Sequence, residues 1–246
     1  MKIDILSLLT DTSVWLSFVF LFSVLLIIYS TIKSMKMPGN KGIKFSLITT
    51  FILLIWFFAV VILGKLGIFA QNQLFVPNIL IGFLILFQLL RMAYYSETIK
   101  KIFEVAPLHW IMGIQIYRLL GIVFLILWSR GILPGAFAFP SGIGDIIVGI
   151  SAPFVAIMYF LKKSYSRKLA IIWNILGIVD LVIALSVGFL GFPRPIQFVP
   201  LNPSTEPLSL FPLAIIPLFS VPLALLLHFL SLRVLMKKKD LKNEKL

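Results

Sequence analysis

Long apolar runs, parted by short clusters of basic residues, glycine and proline, follow one another along this chain. A helix needs about 20 apolar residues, at about 1.5 Å each, to cross the hydrocarbon layer of a bilayer. Seven stretches meet or approach that length: 12–32, 45–64, 75–94, 110–129, 140–161, 169–190 and 210–232. The pattern predicts an all-α fold, a polytopic transmembrane bundle of seven helices forming a single domain over residues 1–246. The third stretch is the weakest, because its charge-free part ends before Arg91. Residues 96–108, SETIKKIFEVAPL, set Ile99, Ile102, Phe103 and Val105 among charged residues and stop near Pro107, the pattern of a short interfacial helix. Between the sixth and seventh stretches, FPRPIQFVPLNPSTEPL carries five prolines and reads as an extended or turning loop rather than a folded domain.

Composition agrees with the pattern. A 246-residue chain that is 60% hydrophobic, with a mean hydropathy of +1.08, has too little polar surface to cover a water-soluble globule. The net charge of +13 does not point to nucleic acid, because the basic residues punctuate apolar runs instead of forming a stripe among exposed aromatics. They do orient the bundle. Lys33, Lys36, Lys41 and Lys44 follow the first stretch, Arg91, Lys100 and Lys101 the third, Lys162, Lys163, Arg167 and Lys168 the fifth, and Arg233, Lys237, Lys238, Lys239, Lys242 and Lys245 the seventh. The other side has only Lys2, Lys65, Arg130 and Arg194. The positive-inside rule then puts the C-terminus and its basic tail, 237–246, in the cytoplasm and the N-terminus outside. The expected setting is a plasma or inner membrane, with the lipid bilayer as the first partner. The N-terminal residues lack a basic n-region and an Ala-x-Ala site, so the first stretch is expected to be kept. The absence of cysteine removes disulfides, thiolate nucleophiles and iron–sulfur ligands.

Three ionisable residues fall well inside apolar stretches: Arg118, Asp145 and Asp180. Each costs roughly 2.5–3.5 kcal/mol at the centre of an inserted helix, so the bundle must offset them. Asp145 lies on the series Gly142, Asp145, Gly149, Ala152, Ala156, and Asp180 on Ala170, Gly177, Asp180, Ala184, Gly188, Gly191. Small-residue faces let helices approach closely and give a polar side chain a protein partner in place of lipid. By position along their stretches Arg118 and Asp180 share the midplane, and Asp145 lies about one turn nearer the outside, within reach of a guanidinium. Gln115, one turn before Arg118, is expected to help satisfy the cluster. Two carboxylates sharing one arginine leave an excess negative charge, which a proton or cation would neutralise.

Other signals are weaker. His109 and His228 are the only histidines, and both are expected near the cytoplasmic ends of their stretches, where a pair of imidazoles at matching depth would suit a haem. No other haem signature accompanies them, and no cofactor or metal is predicted. Gln88, Arg91, Tyr94 and Tyr95 close the third stretch as an interfacial aromatic and basic belt. The seventh stretch has no lysine for a retinal Schiff base, while Pro217 and Pro222 each remove an internal hydrogen bond and predict a kinked helix. The chain carries no phosphate-binding glycine loop, HExxH pair or GxSxG elbow, and catalysis is not expected.

QIYRLLGIVFLILWSRGILPGAFAFPSGIGDIIVG, WNILGIVDLVIALSVGF and NPSTEPLSLFPLAIIPLFSVPLALLLHFLSL together resemble a family of uncharacterised bacterial multipass membrane proteins. The likeness runs from Gln115 to Leu232 and includes Arg118, Asp145, Asp180 and His228. It implies a bacterial membrane setting and supplies no activity. The residues themselves lead to a small-solute or ion-coupled transporter, with the Arg118, Asp145 and Asp180 cluster taking a small molecule, cation or proton. The alternatives are a non-catalytic receptor or membrane-complex subunit, which would use the outer proline-rich loop and the small-residue faces to bind partners, an oligomer of the chain among them, and a membrane enzyme or haem protein centred on the histidines.

Overall fold

A computed structural model of the chain describes residues 5–35, 40–70, 81–193 and 199–243, and among them every regular element is helical. Six helical runs are long and apolar enough to cross a membrane: Thr12–Ser34, Lys41–Lys65, Leu108–Ser129, Gly135–Phe160, Ser166–Leu190 and Ile216–Lys237. They overlap six of the seven predicted stretches. The remaining one, 75–94, lies partly outside the described residues, and its described part is the 15-residue helix α3 (Ile81–Tyr95). The fold is an all-α polytopic bundle, with six long apolar helices among the described residues.

Numbered by the predicted stretches they overlap, the first two crossings belong to α1 (Ile5–Ser34) and α2 (Lys41–Lys65). After α3 comes the expected amphipathic helix, α4 (Glu97–Val105). Ser96 starts it as N-cap, its hydroxyl accepting from the Ile99 N–H at 3.3 Å. Its Ile102 is buried, whereas Val105, expected on the apolar face, is exposed. Lys237 bonds Glu104 at 2.5 Å, which ties α4 to the end of the last crossing.

The fourth crossing is composite. It runs as α5 (Leu108–Gly113), an eight-residue 3₁₀ stretch (Ile114–Gly121) and α6 (Ile122–Ser129). Three residues per turn align Gln115, Arg118 and Gly121 on one line, and all three are buried. Such a long 3₁₀ run is unusual and places Arg118 on backbone that differs from the helix on either side.

The fifth and sixth crossings are α7 (Gly135–Phe160) and α8 (Ser166–Leu190). Helix α7 starts before the predicted residue 140, because Pro134 in extended backbone sets the turn into it and Pro140 is absorbed inside the helix. The seventh crossing is displaced further. Instead of spanning 210–232, its residues Glu206–Ser209 form a 3₁₀ turn, Ile216–Ser220 a π-helical turn, and α9 runs over Val221–Asn243. Pro207 and Pro212 cannot donate to a continuing helix, which delays its start. At the other end the Lys-rich tail consists of good helix formers and extends the helix beyond Arg233.

The predicted kink is the π turn, and it is a point of attachment. Pro222 has no N–H to bond the Leu218 carbonyl one turn back, and that carbonyl accepts from Trp56 Nε1 at 3.1 Å. The Ser220 carbonyl accepts from the Tyr117 hydroxyl at 3.1 Å, and the Ser220 hydroxyl donates to that of Ser17 at 2.9 Å. The last crossing is thereby held by α1, α2 and the 3₁₀ stretch at one level. It is also the most buried of the six.

Candidate functional site

Glycine sets how closely the central helices approach. A Cβ on Gly121 would stand 2.5 Å from Asp145 Cβ and 2.7 Å from the Gly142 carbonyl, so α7 packs on the fourth crossing nearly backbone to backbone. A Cβ on Gly149 would meet the Leu119 N–H at 2.9 Å. On α8, a Cβ on Gly177 would come within 2.6 Å of the His228 ring. One on Gly144 of α7 would collide with Asp180 Oδ1.

Arg118 stands where these contacts converge and is 1% exposed. Its Nε–H donates to Asp145 Oδ1 at 2.7 Å, and Nη2 donates to Asp180 Oδ2. Nη1 faces the Gly177 carbonyl and His228 Nε2, each at 3.4 Å. The guanidinium therefore bridges α7, α8 and α9 from the fourth crossing, with four of its five N–H groups directed at acceptors. Both aspartates keep a second oxygen without a protein donor among the described residues.

His228 was expected near one end of its stretch, but the shift of the seventh crossing brings it close to the middle. A guanidinium N–H can only donate, so His228 Nε2 must accept and carry no proton. Nδ1 then holds the ring proton and donates to Asn174 Oδ1 at 2.9 Å, while Asn174 Nδ2 donates to the Ala170 carbonyl at 2.7 Å. This chain of bonds fixes a neutral histidine. With it, one guanidinium and two carboxylates leave the buried cluster one negative charge in excess, unless a proton or cation joins it.

The remaining candidates stand apart. Gln115 is as buried as Arg118 but makes no bond to the cluster, and its Oε1 has no partner among the described residues. Neighbouring turns of the 3₁₀ stretch align the two side chains without making them meet. His109 lies in a wide apolar groove of about 950 Å³ between α1, the fourth crossing and α7, its ring 4.9 Å from that of Phe160. A haem held by both histidines does not fit this arrangement, because both ring nitrogens of His228 are engaged in the network. Gln88 and Arg91 are exposed on α3 and take no part.

Beside the cluster is a second cavity, of about 50 Å³. Among the described residues Asp145 is its only charged lining residue; Phe124, Phe137, Phe189, Phe192 and Leu208 are among the others. Leu208 belongs to the 3₁₀ turn that covers this end, and Thr205 beside it donates to the Gly188 carbonyl at 2.7 Å. Ser141, on the face of α7 between Phe137 and Asp145, is fully buried with its hydroxyl unpaired among the described residues.

Asn174 was not singled out in the sequence. It shares the small-residue face of Ala170, Gly177 and Asp180, and its position one turn before Gly177 was the available signal.

The family comparison covers all of these residues. A domain family of unknown function, DUF8737, matches residues 74–236. This extends the resemblance from Gln115 back across α3 and α4 and includes Arg118, Asp145, Asn174, Asp180 and His228. No curated protein and no solved structure matches the chain. On the extent of that match, the chain belongs to the DUF8737 family.

Proposed function

We propose that this protein is a carrier for a small solute or ion in a plasma or inner membrane, with the Arg118, Asp145, Asp180 and His228 network as its coupling site. The observation that carries the proposal is the charge of the network: one guanidinium is shared by two carboxylates, and the nearby histidine is neutral. A site holding one unbalanced charge within the bilayer must bind a proton or a cation, and a group that gains and loses charge is what coupling requires. The backbone supports the same reading, since the 3₁₀ stretch and the π turn interrupt two crossings beside the network. Basic-residue asymmetry orients the α9 tail to the cytoplasm and the turn carrying Leu208 to the outside.

A second reading has one observation in its favour. The cavity at Asp145 does not include Asp180, and its other walls are apolar. A network closed off in this way suits a non-catalytic membrane subunit in which the ion pairs fix helix register.

Proton uptake by proteoliposomes tests the proposal. The full chain is reconstituted around a pH-sensitive dye and an inside-negative potassium diffusion potential is imposed. Wild-type vesicles are expected to acidify faster than empty ones, and folded Asp145→Asn and Asp180→Asn proteins to match empty vesicles. Variants that acidify like the wild type, or that fail to fold at either position, would leave the register reading in its place.

A further inference from the structure

We infer that the cavity above Asp145 is a binding site for a small organic ammonium ion, of the size of methylammonium or dimethylammonium. The inference rests on the carrier proposal and names the class of solute that its site would take.

The argument begins with what the cavity offers. Asp145 uses Oδ1 for the Arg118 bond, and its second oxygen has no protein donor among the described residues. It belongs to a network that is one positive charge short. The cation that completes it must therefore do without most of its hydration. A hard metal ion would need about six oxygen ligands, and the cavity supplies one carboxylate among phenylalanine, leucine and other apolar side chains. An alkylammonium needs far less. Its N–H groups bond the carboxylate, while its methyl groups, which share the positive charge, gain from apolar and aromatic walls through burial and cation–π attraction.

Size narrows the class. One water needs about 10–15 Å³ of such space, so 50 Å³ admits a few atoms of that size and no large substituent. Among the described residues the cavity lining holds no other cation that would compete for Asp145.

Gly188 provides a variant that leaves the charges untouched. It lines the cavity, and an added Cβ would lie 3.4 Å from Phe137 and 3.5 Å from Leu208, ordinary contacts that the fold accommodates. Gly188→Ala therefore takes space from the cavity.

Thermal unfolding of the purified full chain in detergent tests the inference. Methylammonium and dimethylammonium chloride are titrated against sodium, potassium and tetramethylammonium chloride at equal ionic strength. The two smaller ammonium ions are expected to raise Tm saturably, and the other three salts to leave it where ionic strength puts it. Gly188→Ala is expected to weaken the response at least tenfold without lowering the unliganded Tm by more than a few degrees, and a folded Asp145→Asn protein to lose it. Equal shifts with all five salts, no shift with the smaller ammonium ions, or an undiminished response in Gly188→Ala would overturn the inference. Those results leave proton uptake by the vesicles unaffected, so a failure here is distinguishable from a failure of the carrier proposal.

Discussion

Arg118 Nη1 and His228 Nε2 face each other at 3.4 Å, two nitrogens of which only one can bring a proton. The arginine supplies it, and on the far side of the ring the Asn174 side-chain oxygen Oδ1 accepts a hydrogen bond from Nδ1–H. The protonation state of a buried histidine thus follows from the donor and acceptor count around it.

That relationship makes the identity of residue 228 testable. His228→Gln retains an acceptor for the guanidinium and is expected to fold. His228→Ala takes the ring from a buried donor, Arg118 Nη1, and leaves a buried acceptor, Asn174 Oδ1, unpaired, and is expected to cost about 1–3 kcal/mol. His228→Arg sets two cations against each other and is expected to prevent accumulation of folded protein. Denaturation midpoints of the purified variants check the order, and nitrogen NMR of labelled histidine should report the Nδ1–H tautomer.

Removing the guanidinium should be more damaging than removing either carboxylate. Arg118→Gln strands the buried Asp145 charge and the partly buried Asp180 charge and is expected to destabilise by about 3–5 kcal/mol. Adding Asp145→Asn and Asp180→Asn to it removes the stranded charges and should recover part of the loss. A triple-mutant cycle on unfolding free energies measures this coupling, and strict additivity would argue against a shared network.

The glycines should divide into two groups. Gly121→Ala drives a methyl into the Gly142 carbonyl and Asp145 Cβ, where the opposing atoms are backbone or lie next to it, and an overpacking cost of about 1–3 kcal/mol is expected. Gly144→Ala and Gly177→Ala press on Asp180 and His228 and should lower both stability and proton uptake. Gly113→Ala would meet only Ala156 Cβ at 3.6 Å and is expected to be silent. Thermal unfolding of the four variants makes the comparison.

The stability of the α4 helix should depend on pH. Lys100 bonds Glu97 at 2.6 Å, and that bond together with its charge holds the Glu97 carboxyl below the usual glutamate range. A carboxyl depressed in the folded state stabilises above its unfolded pKa and loses that contribution as pH falls through the folded one. Amide exchange over residues 97–105, corrected for its intrinsic pH dependence, is expected to lose protection only below the ordinary glutamate range. Ser96→Ala should lower protection there at any pH, because it removes the N-cap.

Much of this site was legible from spacing alone. Arg118, Asp145 and Asp180 declared themselves by cost, since a charge within an apolar run needs a partner, and the small-residue faces showed which ways the aspartates turned. His228 was misplaced because crossing boundaries were drawn from apolarity, which includes Leu210 and Phe211; proline chemistry starts the helix later and carries the histidine to mid-depth. Gln115 was expected to join because one turn separates it from Arg118, but proximity along one stretch does not make two side chains meet. Asn174 was passed over for a similar reason, since an uncharged amide in an apolar run costs less and raises no alarm. The 3₁₀ stretch had no signal beyond its two bounding glycines, Gly113 and Gly121, because departures from α geometry depend on what packs against them.

The central claim is that the Arg118 network takes up and releases a proton. Infrared difference spectroscopy of the full chain in lipid, across a pH titration, tests it most directly. The account predicts a carboxylic-acid C=O band that appears and disappears reversibly while the protein stays folded, and that Asp145→Asn or Asp180→Asn removes. If neither aspartate contributes such a band at any pH at which the bundle is folded, the network does not exchange a proton and the coupling site proposed above is contradicted.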